Sequence, residues 1–121
     1  MINHHKFCIA PMMKKTDKHF RFMARQFTKN SMLYTEMIHS NAILKGDADK
    51  LLKYHNSEHP VGLQLGGSDP KSLAEAAIIG EDYGYDEINL NVGCPSKKVK
   101  SGNFGVFLMK NIENRLLSVI S

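Results

Sequence analysis

The chain has 121 residues, of which 42% are hydrophobic and 23% charged, and its formal net charge at pH 7 is +4. This composition predicts one globular domain and excludes disorder throughout, and no stretch is apolar and long enough to predict a membrane span or a signal peptide. With only two cysteines, the chain cannot form a disulfide scaffold, and a reducing cytoplasm is the compartment that fits. The six histidines are scattered, so no metal site is predicted. The mild excess of basic residues permits a nucleic-acid partner.

The first predicted elements are a strand at 7–12 and a helix at 17–28. Cys8, inside the strand, is predicted to lie in the core. Thr16 is the predicted N-cap of the helix, because its hydroxyl can accept one of the first free N–H groups. Apolar residues fall along one face of this helix and basic residues along another. The two sets are Phe20, Met23, Ala24 and Phe27 on the apolar face, and Lys18, Arg21, Arg25 and Lys29 on the basic face.

The rest of the chain continues this alternation. Asp69 and Pro70 predict an N-cap followed by a proline at the first helical position, and Gly84 stands where a left-handed helix stop is expected. Strand starts near residues 7, 32, 61 and 87 are typical of βα units, which build parallel sheets. The spacing leaves open a small doubly wound sheet or half of a (β/α)8 barrel. Further strands are predicted at 32–37, 61–65 and 87–92, and further helices at 39–44, 47–54, 70–83 and 112–120.

Polar side chains gather where the last two predicted strands end, and parallel sheets bind ligands at that edge. Gln64, Asn89 and Asn91 place amides in apolar strands. These amides either bond to neighbouring backbone or bind a heterocycle that has a carbonyl and N–H edge. Cys94 follows at a sharp exit from the fourth strand. It is either a small buried residue or a proton donor, since a thiol with an ordinary pKa of about 8.5 is mostly protonated at pH 7.

Two loop regions of the sequence bear on anion binding. The segment 66–69 predicts a turn and a helix cap rather than a phosphate loop, because Asp69 would repel a phosphate. Two basic loops follow the first and fourth predicted strands, and together they would form a patch for an anionic polymer. Their lysines are Lys14 and Lys15 in the first loop and Lys97, Lys98 and Lys100 in the second.

Several segments together resemble the tRNA-dihydrouridine synthases. They are IAPM with TDKHFR, LYTEM, HPVGLQLGGSDP, GYDEINLNVGCPS and KKVKSGNFG. The A-type bacterial subfamily, the tRNA-dihydrouridine(20/20a) synthases, is the most similar, and the resemblance covers about residues 7–111. It implies that residues 1–121 are the N-terminal half of a catalytic (β/α)8 barrel, its first four βα units, without the family's C-terminal helical domain.

The resemblance also implies a reaction. FMN would lie at the C-terminal mouth of the barrel, with NADPH as electron donor and a uridine in the D-loop of tRNA as substrate, flipped out of its stack. Pro11 and Met12 are expected to pack at the flavin, Gln64 to hydrogen-bond the isoalloxazine edge, and Asn91 to face flavin and substrate. Cys94 is the expected general acid, because hydride addition at C6 of uracil leaves an enolate that needs a proton at C5. The lysines of the two basic loops are expected to contact tRNA.

The sequence departs from the family pattern at two places. Val106 and Phe107 are bulkier than the small residues usual there, and the chain stops at Ser121, before the family's remaining βα units. We therefore expect the chain alone to be inactive, to bind FMN weakly or not at all, and to self-associate through open sheet edges. The alternatives are another FMN barrel acting on a pyrimidine, similar to dihydroorotate dehydrogenases, or a non-catalytic remnant.

Overall fold

The computed structural model describes residues 2–92, which form a parallel sheet with helices packed on one face. Short 3-10 helices at His4–Lys6 and Asn56–Glu58 precede the first strand and the long central strand. The helix predicted at 112–120 lies outside the described residues. The strands are β1 (Cys8–Ile9), β2 (Met32–Tyr34), β3 (Ile38–His39), β4 (Val61–Gly66) and β5 (Glu87–Leu90), and the helices are α1 (Lys18–Phe27), α2 (Ser40–Lys45), α3 (Ala48–Leu52) and α4 (Pro70–Asp82).

Every strand pair in this described sheet is parallel. β2 lies between β1 and β4, β4 lies between β2 and β5, and β3 pairs with the carboxyl end of β4. This order confirms the predicted succession of βα units. The single strand predicted at 32–37 is wrong, because residues 35–37 leave the sheet and divide it into β2 and β3.

The core lies between the sheet and the helices. Val61, Leu63 and Leu65 alternate along β4 and are 0–2% exposed. Because successive side chains of a strand point to opposite faces, Gly62, Gln64 and Gly66 lie on the other face of the sheet. The sheet therefore has one apolar face, which the helices cover, and one face that carries polar residues. The core cluster also contains Ile43, Leu52, Leu73, Ala76 and Tyr85.

Helix α4 begins and ends as the sequence predicts. Asp69 is its N-cap and accepts the backbone N–H of Ser72 at 2.9 Å, and Pro70 is the first helical residue. The bonds from the Ser72 hydroxyl and N–H lower the pKa of Asp69. Gly84 follows the helix with a φ of 92°, a left-handed conformation that glycine adopts without steric cost. In the segment 66–69, Gly66 ends β4, a short bend follows, and Asp69 caps the helix, so the expected cap is present.

The N-cap of α1 is Asp17, and the prediction of Thr16 is wrong by one residue. The Asp17 carboxylate accepts the Phe20 N–H at 2.8 Å. Thr16 is 2% exposed and bonds instead to the backbone of Met12, accepting its N–H at 3.0 Å. A hydroxyl that is committed to the preceding loop is not free to cap the helix.

The buried face of α1 combines members of its apolar and basic faces, since its buried residues are Arg21, Ala24 and Arg25. Arg21 and Arg25 are 5% and 8% exposed, whereas Met23 and Phe27 are 52% and 86% exposed. The fully buried Glu58 explains this orientation, since its carboxylate accepts Arg21 Nε at 2.5 Å. A buried carboxylate needs a paired cation, and α1 supplies it.

Cys8 is exposed, so its predicted place in the core is wrong. It lies on β1, an edge strand of two residues that pairs with β2 alone among the described strands. Ile9, the other residue of β1, is half-buried. An edge position leaves the cysteine thiol open to solvent instead of enclosing it.

Candidate functional site

The face of the sheet opposite the helices carries a polar layer near the amino ends of β4 and β5. Tyr34 donates its hydroxyl to Glu87 at 2.6 Å, and His5 lies 2.5 Å from the second oxygen of the same carboxylate. The Tyr34 ring covers Gly62, where an added Cβ would come within 2.7 Å of two ring carbons. Burial and the bond to Glu87 raise the pKa of Tyr34 above its ordinary value.

A second polar layer lies on the same face at the carboxyl edge of the sheet. Gln64 is 8% exposed and stands opposite Asn89 in the β4–β5 register. Its Nε2 donates to Asn89 Oδ1 at 2.7 Å, and its Oε1 accepts from Asn91 Nδ2 at 3.2 Å. We call these three side chains the amide row. The sequence left open bonds to neighbouring backbone or to a heterocycle. In the structure, the side chains of Gln64 and Asn89 bond to each other.

The chemistry of the amide row suits the edge of a flavin or uracil ring. An amide side chain has two N–H donors and an oxygen with two lone pairs. The bonds within the row use one donor and one lone pair of Gln64, so this nearly buried amide keeps a donor and an acceptor for a ligand. The pyrimidine edge of an isoalloxazine ring presents carbonyl oxygens beside an N–H group. The residues present therefore fit the ring edge of FMN.

The other predicted site residues among residues 2–92 lie at the carboxyl edge of the sheet, as the amide row does. Pro11 and Met12 lie just beyond the carboxyl end of β1, after Ala10, and Met12 is 56% exposed. Lys14 and Lys15 are exposed in the loop that leads from β1 to α1. Because all the strands run parallel, this loop and the amide row share the carboxyl edge of the sheet.

The predicted general acid and the second basic loop lie outside the described residues. Cys94 follows the last described residue by two positions, and Lys97, Lys98 and Lys100 come just after it. Their roles stay predictions. Val106 and Phe107, the departures from the family pattern, lie in the same part of the chain.

Sequence reasoning missed Glu36. The half-buried carboxylate of Glu36 accepts the backbone N–H of Lys14 and so connects the end of β2 to the loop after β1. The available signal was its position near the carboxyl end of the predicted strand 32–37, because parallel sheets bind ligands at that edge.

Two kinds of feature are absent from residues 2–92. No three His, Cys, Asp or Glu side chains in that range lie together in a way that could hold a metal ion. No helix in the same range is long and apolar enough to cross a membrane.

Comparison with known proteins assigns the family. The family model described as Dihydrouridine synthase (Dus) matches residues 8–119. The chain belongs to the dihydrouridine synthase family. The fold of this family is a (β/α)8 barrel, so the parallel strands and helices described above are βα units of its N-terminal part, and the doubly wound alternative is excluded.

Curated dihydrouridine synthases resemble the chain over most of its length. A tRNA-dihydrouridine(20/20a) synthase of Synechocystis sp. is 62% identical over 101 residues, which cover 84% of this chain and 30% of the relative. Proteins of the same name from Escherichia coli K12 and Xanthomonas axonopodis pv. citri are 53% and 50% identical, over 89% and 87% of the chain. The chain spans about 30% of the length of these relatives.

Proposed function

We propose that the protein that carries this chain reduces uridine to 5,6-dihydrouridine in the D-loop of tRNA, with FMN as cofactor and NADPH as electron donor. The observation that carries the proposal is the amide row, a nearly buried set of donors and acceptors at the carboxyl edge of a dihydrouridine synthase sheet. The names of the curated relatives support tRNA as the substrate.

The proposed roles of the described residues follow from their chemistry. When bound, FMN would supply the hydride that adds to C6 of the uracil ring. Gln64 and Asn91 would hydrogen-bond the ring edge and fix its orientation, and Asn89 would hold the Gln64 amide. Pro11 and the exposed Met12 would pack against the flavin from the end of β1.

Cys94 would complete the reaction as the general acid. Addition of a hydride at C6 leaves an enolate with its charge shared between C5 and the C4 oxygen. The Cys94 sulfur gives its proton to C5, and the thiolate regains a proton from solvent. A thiol suits this role because its ordinary pKa, about 8.5, keeps the proton on sulfur at neutral pH.

The basic loops would hold the tRNA. Lys14 and Lys15 are exposed beside Met12, and we assign them, with the lysines outside the described residues, to phosphate contacts. These further contacts are Lys97, Lys98 and Lys100. A tRNA substrate, together with two cysteines for which no disulfide is predicted, makes the reducing cytoplasm the proposed compartment.

The two cysteines of the chain offer a matched test. Residues 8–119 would replace the corresponding N-terminal part of the Synechocystis relative, and dihydrouridine in unmodified tRNA would be measured by mass spectrometry. We expect Cys94→Ala to keep FMN binding and flavin reduction by NADPH but to lose most uridine reduction, since only the proton donor is removed. Cys8→Ala is the control and should retain full activity.

Other outcomes would contradict this assignment. Equal loss of flavin reduction and uridine reduction in Cys94→Ala would show that the thiol is not simply the proton donor. Activity on a free pyrimidine without tRNA would favour the dihydroorotate dehydrogenase-like alternative. Absence of flavin from a folded chimera would favour the non-catalytic remnant.

A further inference from the structure

Glu36 lies in a bulge of the sheet. Tyr34 pairs with Gly62 and Ile38 pairs with Leu65, so three residues on the β2–β3 side stand opposite two on β4. The extra residue takes Glu36 out of the sheet plane, and bulges near functional edges commonly redirect a side chain in this way.

Thr35 fixes the shape of this bulge. It is 2% exposed, and its hydroxyl accepts the Gln64 N–H at 3.1 Å and donates to the Glu36 carbonyl at 2.8 Å. Its own N–H donates to the Gly62 carbonyl at 2.9 Å. The bulge is therefore bonded to β4, the strand that carries Gln64 of the amide row.

The Glu36 carboxylate accepts a hydrogen bond from the Lys14 N–H, which has no acceptor within the loop after β1. The N–H groups of Lys15 and Thr16 both donate to the Met12 carbonyl at 3.0 Å, which closes a tight turn. Lys14, inside this turn, has a φ of 63°, which is uncommon for a residue with a side chain. Its N–H donates to the Glu36 carboxylate instead of to the loop.

We propose that Glu36 is a positioning residue that fixes the turn so that Lys14 and Lys15 stand ready to contact tRNA. The proposal rests on the proposed function, because the two lysines are assigned to phosphate there. The turn is held from its other end by Arg21, whose guanidinium donates to the Thr16 carbonyl at 2.6 Å. Glu36 bonds to the other side of the turn, where Lys14 has its left-handed conformation.

Amide hydrogen exchange of the 121-residue chain tests whether the bond from the Lys14 N–H to Glu36 stabilises the turn. In Glu36→Ala the Lys14 amide should exchange about tenfold faster or more, because its acceptor is gone and the turn can open. Glu36→Gln keeps a side-chain oxygen as acceptor and should preserve most of the protection. Glu75→Ala, an exposed glutamate on α4, removes the same charge elsewhere and should leave the Lys14 amide unchanged. Unchanged exchange in Glu36→Ala would overturn the proposal.

The affinity of the chain for an unmodified tRNA transcript tests the consequence. Removing a negative charge should by itself strengthen RNA binding, as Glu75→Ala will show. Loss of positioning weakens binding, so we expect Glu36→Ala to bind tRNA more weakly than wild type. Glu36→Gln loses the same charge but keeps an acceptor for the Lys14 N–H, so it should bind as Glu75→Ala does. Binding by Glu36→Ala that is as strong as that of Glu75→Ala would overturn the proposal. No tRNA affinity in the wild-type chain would contradict the proposed function, while the exchange measurement would still decide whether Glu36 holds the turn.

Discussion

At the scale of single residues, Glu58 organises the packing of α1. Its carboxylate accepts Arg21 Nε at 2.5 Å and the His55 N–H at 2.7 Å, and Glu58 itself is fully buried. Arg25 Nη2 donates hydrogen bonds to the backbone carbonyls of Glu58 and Pro60, each at 2.9 Å. Burial lowers the pKa of Arg25 from its ordinary value, and the charges of Glu58 and Asp86 oppose this shift. Two arginines are thus held against the sheet by groups that precede β4.

We expect Glu58→Ala to destabilise the chain by about 3 kcal/mol or more, because removal of one member of a buried pair leaves a buried charge without a partner. Urea unfolding monitored by circular dichroism measures the difference. Glu58→Gln, which keeps an acceptor but loses the charge, should lie between this variant and wild type. Glu75→Ala is the control and should change stability by no more than about 0.5 kcal/mol. A cost for Glu58→Ala equal to that of the control would show that the buried pair contributes nothing.

The orientation of α1 could not be predicted from its own sequence. Helical periodicity correctly indicates a helix and separates its apolar face from its basic face. Which face is buried depends on Glu58, which stands 37 residues after Arg21 and meets it only in the folded protein. The N-cap was missed for a similar reason, because the Thr16 hydroxyl is already bonded to Met12.

At the scale of elements, α4 packs on the sheet through a glycine. Gly80 is buried, and a Cβ there would lie 2.6 Å from Leu63 Cδ2 and 3.0 Å from Ile88 Cδ1. Leu63 is fully buried and cannot move aside without disturbing the core. The absence of a side chain at Gly80 therefore sets how closely the helix approaches β4 and β5.

Gly80→Ala should destabilise the chain by about 1 kcal/mol. Overpacking a core costs about 1–3 kcal/mol, and the better helix propensity of alanine returns about 1 kcal/mol. Denaturant unfolding compares it with Glu81→Ala, at an exposed neighbouring position where only the propensity changes. A Gly80→Ala variant more stable than wild type would contradict the close packing of α4 on Leu63 and Ile88.

Elements with local signals were predicted well. Asp69, Pro70 and Gly84 act within a few residues of the ends of α4, so the sequence shows both of its ends. The division of the predicted strand 32–37 was not predictable, because the bulge at Thr35 exists only in the register against β4. The position of the amide row at the carboxyl edge was predicted, but the bonds between its members depend on the same pairing of strands.

At the scale of the whole molecule, several large apolar side chains of the described part are exposed. A groove of about 250 Å³ lies between α4 and β5, where Ile78 and Ile88 are 59% and 38% exposed. Phe27 on α1 and Phe7 before β1 are exposed by 86% and 64%. Exposed surfaces of this kind favour contact with further protein. Self-association of the 121-residue chain through its open sheet edges stays a prediction.

The dissociation constant for FMN tests most directly the central claim that the amide row binds the flavin edge. The chimera described above would be compared as wild type, Gln64→Ala and Gln26→Ala, the last removing an exposed glutamine from α1. We expect Gln64→Ala to weaken FMN binding about tenfold, since a lost buried hydrogen bond costs about 1 to 1.5 kcal/mol, and Gln26→Ala to bind as wild type does. Equal FMN affinity in all three proteins, each folded by circular dichroism, would contradict the claim.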